Sequence, residues 1–380
     1  MSLSRRFLNL IVDHRAPGAR SLRCIDLKRQ QLFKETAHGD GSESGEDQDG
    51  TYQTRAAEAG GEKVKQETSV GDLKLERIRL PSPSFSFQAS GAHDVAYRWN
   101  LGCFPLSDRK VLCTDQSGRS FLFDGNTRHV VTVPPLHKPK LSAVSLFIPS
   151  SEGDGGGSLF LMESYPQPEE KCSGQPSDEF EAIVYRKVGV TSPSKCWQCQ
   201  LFRPPPYVND PTYWKARSGI SSYAAIDGGS LICISVKGIG TYCLETASYT
   251  WSKVGDWTLP FYGKVEYVPE LKLWFGLSAD GHQLAAADLS DLDSQPQIVG
   301  AWKELNSPCE WKERRNAQLV NLGFGMFCIA RFSAVHYDEK VAAPALDPVQ
   351  LGEFHHGKGV PIPSRESEAN EKSCNAERSN

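Results

Sequence analysis

The chain has 380 residues, with 42 lysines and arginines against 46 aspartates and glutamates. This length allows one large all-β domain or two ordinary ones, and the balanced charge lacks the basic excess typical of nucleic-acid binders. No stretch approaches the roughly 20 apolar residues that span a bilayer. We therefore expect a soluble protein with no nucleic-acid and no membrane partner.

The first apolar run, at positions 7–12 after two arginines, is six residues long. A secretory signal needs a core of roughly 7–15 apolar residues, so this run is too short. It alternates like a strand, although an organellar transit peptide stays an open alternative because no acidic residue precedes Asp13.

The eleven cysteines are scattered through apolar, strand-like runs, as at Cys113, Cys233, Cys243 and Cys328. A secreted disulfide framework would concentrate them in a short chain, and no Asn-x-Ser/Thr glycosylation site is present. This distribution predicts free buried thiols and a cytoplasmic or nuclear location.

One pattern recurs along the chain: two apolar residues, an acid, a polar residue three positions later and an apolar residue three beyond that. The acid ends one strand, the polar residue closes a tight turn, and the last apolar residue opens the returning strand. The clearest copy has Glu245, Ser248 and Trp251. The three close copies read RCIDLKRQQL, FLFDGNTRHV and YCLETASYTW, and looser ones begin at FEAIVYRK and LAAADLSD.

Two further strand-like runs with Gly-rich turns precede most of these hairpins. Repeats of four short strands are typical of β-propeller blades, which must stack around an axis to bury both faces. A β-sandwich is the alternative, but the recurring turn favours an all-β propeller of five to six four-stranded blades. The predicted blades are 7–81, 99–136, 143–206, 220–260, 263–306 and an incomplete one beginning at 316–334.

Two segments interrupt or follow these blades. Residues 35–72 hold ten acids and three bases with almost no large apolar residue, and residues 346–380 are similarly polar. Such segments bury too little surface to offset their ordering entropy, so both are predicted to be disordered. Residues 1–34 and 73–345 then form a single propeller domain.

The unit resembles the kelch repeat, with Gly228-Gly229 ending a strand before Glu245, Ser248 and Trp251. Over residues 5–334 the chain also resembles a plant family of uncharacterised proteins abundant in grasses, known as a domain of unknown function. That resemblance implies a propeller and no known activity. This chain departs from the family in one respect: related chains continue past a segment like FCIARF with further apolar strands, whereas here Phe332 leads into a polar tail, so the last blade can be short of a strand or two. The stretches that carry the resemblance are RRFLNLIVDHRAPGARSLRCIDL, QSGRSFLFD, VPPLHKPK, FEAIVYRK, GTYCLETASYTWS and GKVEYVPELKLWFGLSA.

Possible catalytic and metal-binding motifs are few. Cys196 and Cys199 form a C-x-x-C pair, but residues three apart in a strand point to opposite faces, and no second pair lies near in sequence. His355-His356 lacks partners, and Gly238-Ile-Gly240 lacks the helix that phosphate binding needs. We predict no catalytic, cofactor-binding or metal-binding residue.

Two groups of conspicuous side chains have ordinary explanations. The basic residues Lys138, Lys140 and the stretch 311–315 fit a solvated surface. Four tryptophans at strand positions fit the core rather than a ligand site: Trp99, Trp251, Trp274 and Trp302.

These observations favour a monomeric, non-enzymatic scaffold that binds an unidentified protein partner through its loops. One alternative is an enzyme with a site at the channel mouth, and another is a substrate-receptor adaptor without its own F-box. Carboxylates or histidines at the mouth would favour the enzyme, whereas aromatic and mixed polar groups would favour a partner.

Overall fold

The computed structural model describes most of the predicted blades. The insertion at 35–72, the tail at 346–380, Trp99 and His355-His356 lie outside the described residues. The described residues are 6–13, 19–29, 80–88, 101–107, 109–150, 156–167, 179–188, 194–211, 213, 218–280, 283–302, 311–323 and 325–335.

The strands form consecutive antiparallel meanders, as the predicted repeat requires. Blade 1 contains β1 (Phe7–Asp13), β2 (Ala19–Asp26) and β3 (Pro83–Gln88). Blade 2 contains β4 (Gly102–Ser107), β5 (Lys110–Thr114), β6 (Ser120–Asp124) and β7 (His129–Val133). Blade 3 contains β8 (Ala143–Pro149), β9 (Gly157–Glu163), β10 (Phe180–Lys187) and β11 (Lys195–Leu201).

The second half of the chain continues in the same order. Blade 4 contains β12 (Ile220–Ile226), β13 (Leu231–Val236), β14 (Gly240–Glu245) and β15 (Thr250–Gly255). Blade 5 contains β16 (Phe261–Val268), β17 (Leu273–Ser278), β18 (Leu284–Ala287) and β19 (Ile298–Trp302). Blade 6 contains β20 (Trp311–Gly323) and β21 (Met326–Val335).

The first strands of neighbouring blades line the centre of the ring. Strands β4, β8, β12, β16 and β20 lie next to one another in that order, and β12 and β16 pair in parallel. These first strands therefore begin at one end of the ring, which we call the upper face. The prediction of an all-β propeller with four-stranded blades is confirmed.

Apolar clusters fill the spaces between blades and close the ring. Leu8, Ile25 and Leu27 of blade 1 pack with Leu322 and Cys328 of blade 6. On its other side blade 1 contacts blade 2, where Phe85 stacks on Phe123 with ring centroids 4.4 Å apart. Closure thus depends on burial between the first and last blades rather than on a complete last sheet.

The recurring turn has the predicted chemistry. In the β6–β7 turn the Asp124 carboxylate accepts a 2.8 Å bond from the Asn126 backbone N–H, and in the β14–β15 turn Ser248 donates to the Glu245 carboxylate at 2.5 Å. Tyr249 follows with a positive φ of 57°, which completes this turn. The acid therefore ends a strand by binding the polar groups of its own turn.

Two details of blade 1 differ from the expectations. Its third strand begins at Pro83, beyond the predicted boundary of 81, and within the described residues it has three strands instead of four. Blade 6 has two strands there, the number that the predicted incomplete last blade allows. Among the described residues, short helical segments occur between β11 and β12 and at Asp227–Gly229. None of the described helices is long and apolar enough to cross a membrane.

The prediction of free thiols is wrong for Cys233 and Cys243, which form a disulfide between β13 and β14. The hairpin register places the two residues directly opposite each other, with Cα atoms 4.1 Å apart. Cys113 and Cys328 are buried thiols, as expected.

Candidate functional site

The upper face of blade 3 carries an unusual concentration of buried polar groups. The register pairs Ala143 with Glu163, so β9 ends where β8 begins, and it pairs Glu181 with Leu201, so β11 ends where β10 begins. The connection 134–142, which joins blade 2 to blade 3, crosses this end of the sheet. The ends of four strands and one connection therefore meet there.

Glu181 is the centre of this group, and its side chain is fully buried. Its Oε1 accepts hydrogen bonds from the Lys140 ammonium and, at 3.4 Å, from the Lys138 backbone N–H. Its Oε2 lies 2.8 Å from the His137 backbone nitrogen and 3.1 Å from Cys199 Sγ. We call His137, Lys138, Lys140, Glu181 and Cys199 the Glu181 cluster.

The expectation that Lys140 belongs to a solvated surface is wrong. Its side chain is fully buried beside Glu181, and its ammonium also donates to the Lys138 carbonyl at 2.9 Å. A buried ammonium needs a paired carboxylate because burial removes its hydration. Lys138 is half-exposed and forms an ion pair with Glu179.

Cys199 and Cys196 diverge, as expected for residues three apart in a strand. Cys196 is exposed, whereas Cys199 Sγ points toward the Glu181 cluster. A single histidine of the connection lies beside Cys199: His137 Nδ1 is 3.6 Å from Cys199 Sγ and 2.9 Å from Glu181 Oε2.

Charge and burial set the protonation of these groups. Burial opposes the ionisation of Glu181, but the Lys140 ammonium and the hydrogen bonds outweigh it and hold the pKa of Glu181 below its usual value. Burial and the Glu181 charge raise the pKa of the Cys199 thiol. At neutral pH these shifts favour an ionised carboxylate at Glu181 and a protonated thiol at Cys199.

A second buried carboxylate fixes the end of the same connection. Glu163 accepts backbone hydrogen bonds from Leu141 and Ser142, both at 2.9 Å. Burial raises the pKa of Glu163, and these two bonds offset part of that effect. The Ser142 carbonyl in turn accepts from the Ser164 N–H at 2.8 Å, which ties the connection to the β9–β10 segment.

The geometry limits what the Glu181 cluster can do chemically. A thiol nucleophile activated by histidine needs one ring nitrogen facing the sulfur and the other facing the carboxylate. Here the same atom, His137 Nδ1, faces both Cys199 and Glu181. The arrangement presents three converging donor atoms of imidazole, thiol and carboxylate type, which suits coordination better than proton relay.

The sequence contained partial signals for this site. HKPK and FEAIVYRK lie 44 residues apart at His137 and Glu181, and a glutamate in an otherwise apolar strand suggests a buried partner. The partner could not be identified, because only the register of β10 and β11 brings Cys199 to the same place.

The tryptophans that the structure describes lie in the packing between and within blades. Trp251 donates a 2.8 Å hydrogen bond to the Arg203 carbonyl and meets the Phe180 ring edge-on at 6.2 Å. Trp274 is buried, and Trp302 stacks on Phe275 with centroids 5.8 Å apart. The side chains of the predicted basic stretch 311–315 lie outside the described part of the structure.

Solved structures similar to this chain include the β-propeller domain of Cps50 (Swd1) from Myceliophteria thermophila, at 12% identity over 50% of each chain with a TM-score of 0.29. Two others are an auxiliary nutrient binding protein from Bacteroides ovatus (9% identity, 64% of this chain and 58% of that chain, TM-score 0.34) and BamB from Moraxella catarrhalis (12% identity, 67% and 74%, TM-score 0.27). The chain spans less than two thirds of the first two. No curated protein matches it.

A family match covers nearly the whole chain, including all six blades and the Glu181 cluster. The matched residues are 5–367, and the family is described as a protein of unknown function. The chain therefore belongs to this family, DUF1668.

Proposed function

We propose that this protein is a non-enzymatic, monomeric scaffold that binds a protein partner at its upper face. The observation that carries the proposal is a pair of exposed apolar side chains on fixed backbone. Leu141 is 76% exposed and Tyr165 is 55% exposed, and both lie beside the Ser142–Ser164 hydrogen bond. Large exposed apolar side chains on one face mark interaction sites when they occur together.

The backbone that carries these side chains is ordered before any partner arrives. Glu163 binds the Leu141 and Ser142 N–H groups, and the Ser164 carbonyl accepts from Ile220 at 2.9 Å. A rigid loop loses little conformational entropy on binding, so its exposed side chains contribute more of their burial energy to affinity.

Tyr165 extends the surface toward blade 4. Its ring lies so close to Gly219 that a Cβ atom there would come within 2.6 Å of it. Burial raises the pKa of Tyr262 in blade 5, and Tyr165 adds to this effect. Carboxylates and a histidine also lie at this face, which by the criterion above counts toward an enzyme. Glu163 and Glu181, however, are buried and bound to the connection, whereas Leu141 and Tyr165 are exposed, and this exposed pair supports a protein partner.

Photo-crosslinking tests the proposal. A photoreactive phenylalanine analogue at position 141 should crosslink a specific protein in extracts of the native tissue, and Tyr165→Asp should abolish that product. The matched control places the analogue at Val188, which is 60% exposed beyond the far end of β10. Equal products from both positions would contradict a binding site at the upper face.

The kelch-like character of the repeat and the adaptor alternative belong to the same proposal, since either would use this surface for a protein. The enzyme alternative would need catalytic groups at the channel mouth. The one polar cluster described above has the wrong nitrogen geometry for a thiol relay.

A further inference from the structure

Three side chains with different donor atoms converge at the upper face of blade 3. His137 Nδ1, Glu181 Oε2 and Cys199 Sγ are separated by 2.9 Å, 3.1 Å and 3.6 Å. From this arrangement we propose that His137, Glu181 and Cys199 bind a zinc ion. The proposal is independent of which partner, if any, binds near Leu141.

The donor triangle has nearly the size that tetrahedral zinc requires. Zinc bonds of about 2.0–2.2 Å to nitrogen and oxygen and about 2.3 Å to sulfur imply donor separations of about 3.3–3.6 Å. The sulfur–nitrogen edge already has this length, and the two edges to Oε2 are a few tenths of an ångström shorter. Those two edges are hydrogen bonds, which an ion would replace while moving the donors apart slightly.

The donor types favour zinc over other common cations. Calcium and magnesium prefer sites made of oxygen atoms, whereas a thiolate together with an imidazole selects softer divalent ions. One carboxylate completes a mixed set of the kind that zinc accepts.

The surroundings hold the carboxylate in place for this role. Glu181 Oε1 is bound by the Lys140 ammonium and the Lys138 N–H, which leaves Oε2 directed at His137 and Cys199. Outer partners of this kind orient a metal ligand and are a regular feature of metal sites. The Lys140 charge also compensates one of the two negative charges that the bound ligands carry.

The site has a route for the ion and room for a fourth ligand. The His137 side chain is 46% exposed, so one side of the donor triangle opens to solvent, from which a water molecule can complete the tetrahedron. Binding requires Cys199 to release its proton as the sulfur–zinc bond forms. It also requires His137 to carry its ring proton on Nε2, leaving the Nδ1 lone pair for the metal.

A bound ion would join the 134–142 connection to β10 and β11. His137 lies in the connection, Glu181 near the start of β10 and Cys199 within β11. The metal would thus replace hydrogen bonds by coordinate bonds at the point where the chain passes from blade 2 into blade 3.

Zinc titration of the full chain after treatment with a chelator tests the proposal. Isothermal titration calorimetry should show a zinc-binding event that Cys199→Ser and His137→Gln each weaken at least tenfold. Cys196→Ser is the matched control, because this exposed thiol lies three residues away in the same strand and should leave the affinity unchanged. Cobalt(II) in place of zinc should give a thiolate charge-transfer band that Cys199→Ser removes.

The cobalt band keeps the test decisive if zinc binds elsewhere in the chain. Equal affinity and equal bands in the wild type and in Cys199→Ser would overturn the proposal, as would a wild type that binds no zinc. Circular dichroism of each variant, matching that of the wild type, must accompany the titration so that lost binding is assigned to the lost ligand.

Discussion

Two connections of the same kind are held to the ring by different chemistry. The connection 134–142 between blades 2 and 3 is held by ionised groups, chiefly Glu181 and Lys140. The connection 256–260 between blades 4 and 5 is held by two buried hydroxyls, Ser235 and Thr241. The same kind of connection between blades is therefore stabilised by ionised side chains in one place and by neutral hydroxyls in the other.

The hydroxyls form a directional chain in which each donates once and accepts once. The Leu259 N–H donates to Ser235 Oγ at 3.0 Å, and the Thr241 hydroxyl donates to the Trp257 carbonyl at 2.7 Å. Because the Thr241 hydroxyl donates its proton to the Trp257 carbonyl, it accepts in the 2.8 Å contact with Ser235, and the Ser235 hydroxyl is the donor there. The neutral chain satisfies every polar atom without a charge, whereas the charged cluster carries groups that titrate and can coordinate a metal ion.

The largest effect is expected from removing the buried charge partner. Lys140→Met leaves the Glu181 carboxylate buried beside an apolar side chain, and breaking a buried pair in this way costs about 3–5 kcal/mol. Urea unfolding should show this loss in the free energy of unfolding. Lys253→Met is the control: its partner Asp256 is exposed to solvent, so this pair should contribute little to stability. Equal losses in both variants would show that Lys140 is not the principal partner.

The next largest effect concerns the connection between blades 3 and 4, which the Trp251 indole holds by its hydrogen bond to the Arg203 carbonyl. Trp251→Ala removes the hydrogen bond to Arg203 and the contact with Phe180, and we expect a loss of about 3 kcal/mol from the cavity and the lost burial. Ser252→Ala, on the exposed face of the same strand, should change stability by less than about 0.5 kcal/mol. Thermal unfolding measures both effects. A Trp251→Ala variant as stable as the wild type would contradict a role for the indole in the packing between blades.

The sequence predicted the blades well because their signals are local. The acid at Asp124 or Glu245 accepts a hydrogen bond from the residue three positions later within one turn, so the spacing alone reveals the hairpin. The paired cysteines could have been predicted too, since the hairpin centred near Gly238 places Cys233 opposite Cys243.

The Glu181 cluster could not be predicted in the same way. His137 and Cys199 are 62 residues apart and meet only because the connection crosses the ends of β10 and β11. Lys140 looked like any surface lysine, since burial of a charge depends on a partner that periodicity does not show. Metal-ligand spacing rules describe ligands close in sequence, and these three are not.

A smaller effect should follow from breaking the neutral chain. Thr241→Val keeps the shape of the side chain but leaves Ser235 without its acceptor and the Trp257 carbonyl without its donor, at a cost of about 2 kcal/mol. Thr250→Val, an exposed position in β15, is the control and should be nearly neutral. Chemical denaturation compares the two. A loss as large as that of Lys140→Met would mean that the neutral chain stabilises its connection as strongly as the charged cluster does.

The smallest effect is a difference in pH dependence between the two connections. Burial raises the pKa of Glu163 in the folded protein, so the folded state favours the protonated carboxyl. The resulting stability is fully present below the ordinary carboxyl pKa of about 4.3 and is lost as the pH rises through the higher folded value.

The variant Glu163→Gln tests this pH dependence, because it has no carboxyl to titrate at this position. The wild type should therefore lose stability relative to Glu163→Gln as the pH rises above about 4.3, and this loss should be smaller than the effects of the substitutions above. Thr241→Val provides the comparison, because a hydroxyl chain has no group that titrates in this range, and its difference from the wild type should stay constant. A constant difference for Glu163→Gln as well, measured by urea unfolding at each pH, would mean that the two connections respond alike to pH.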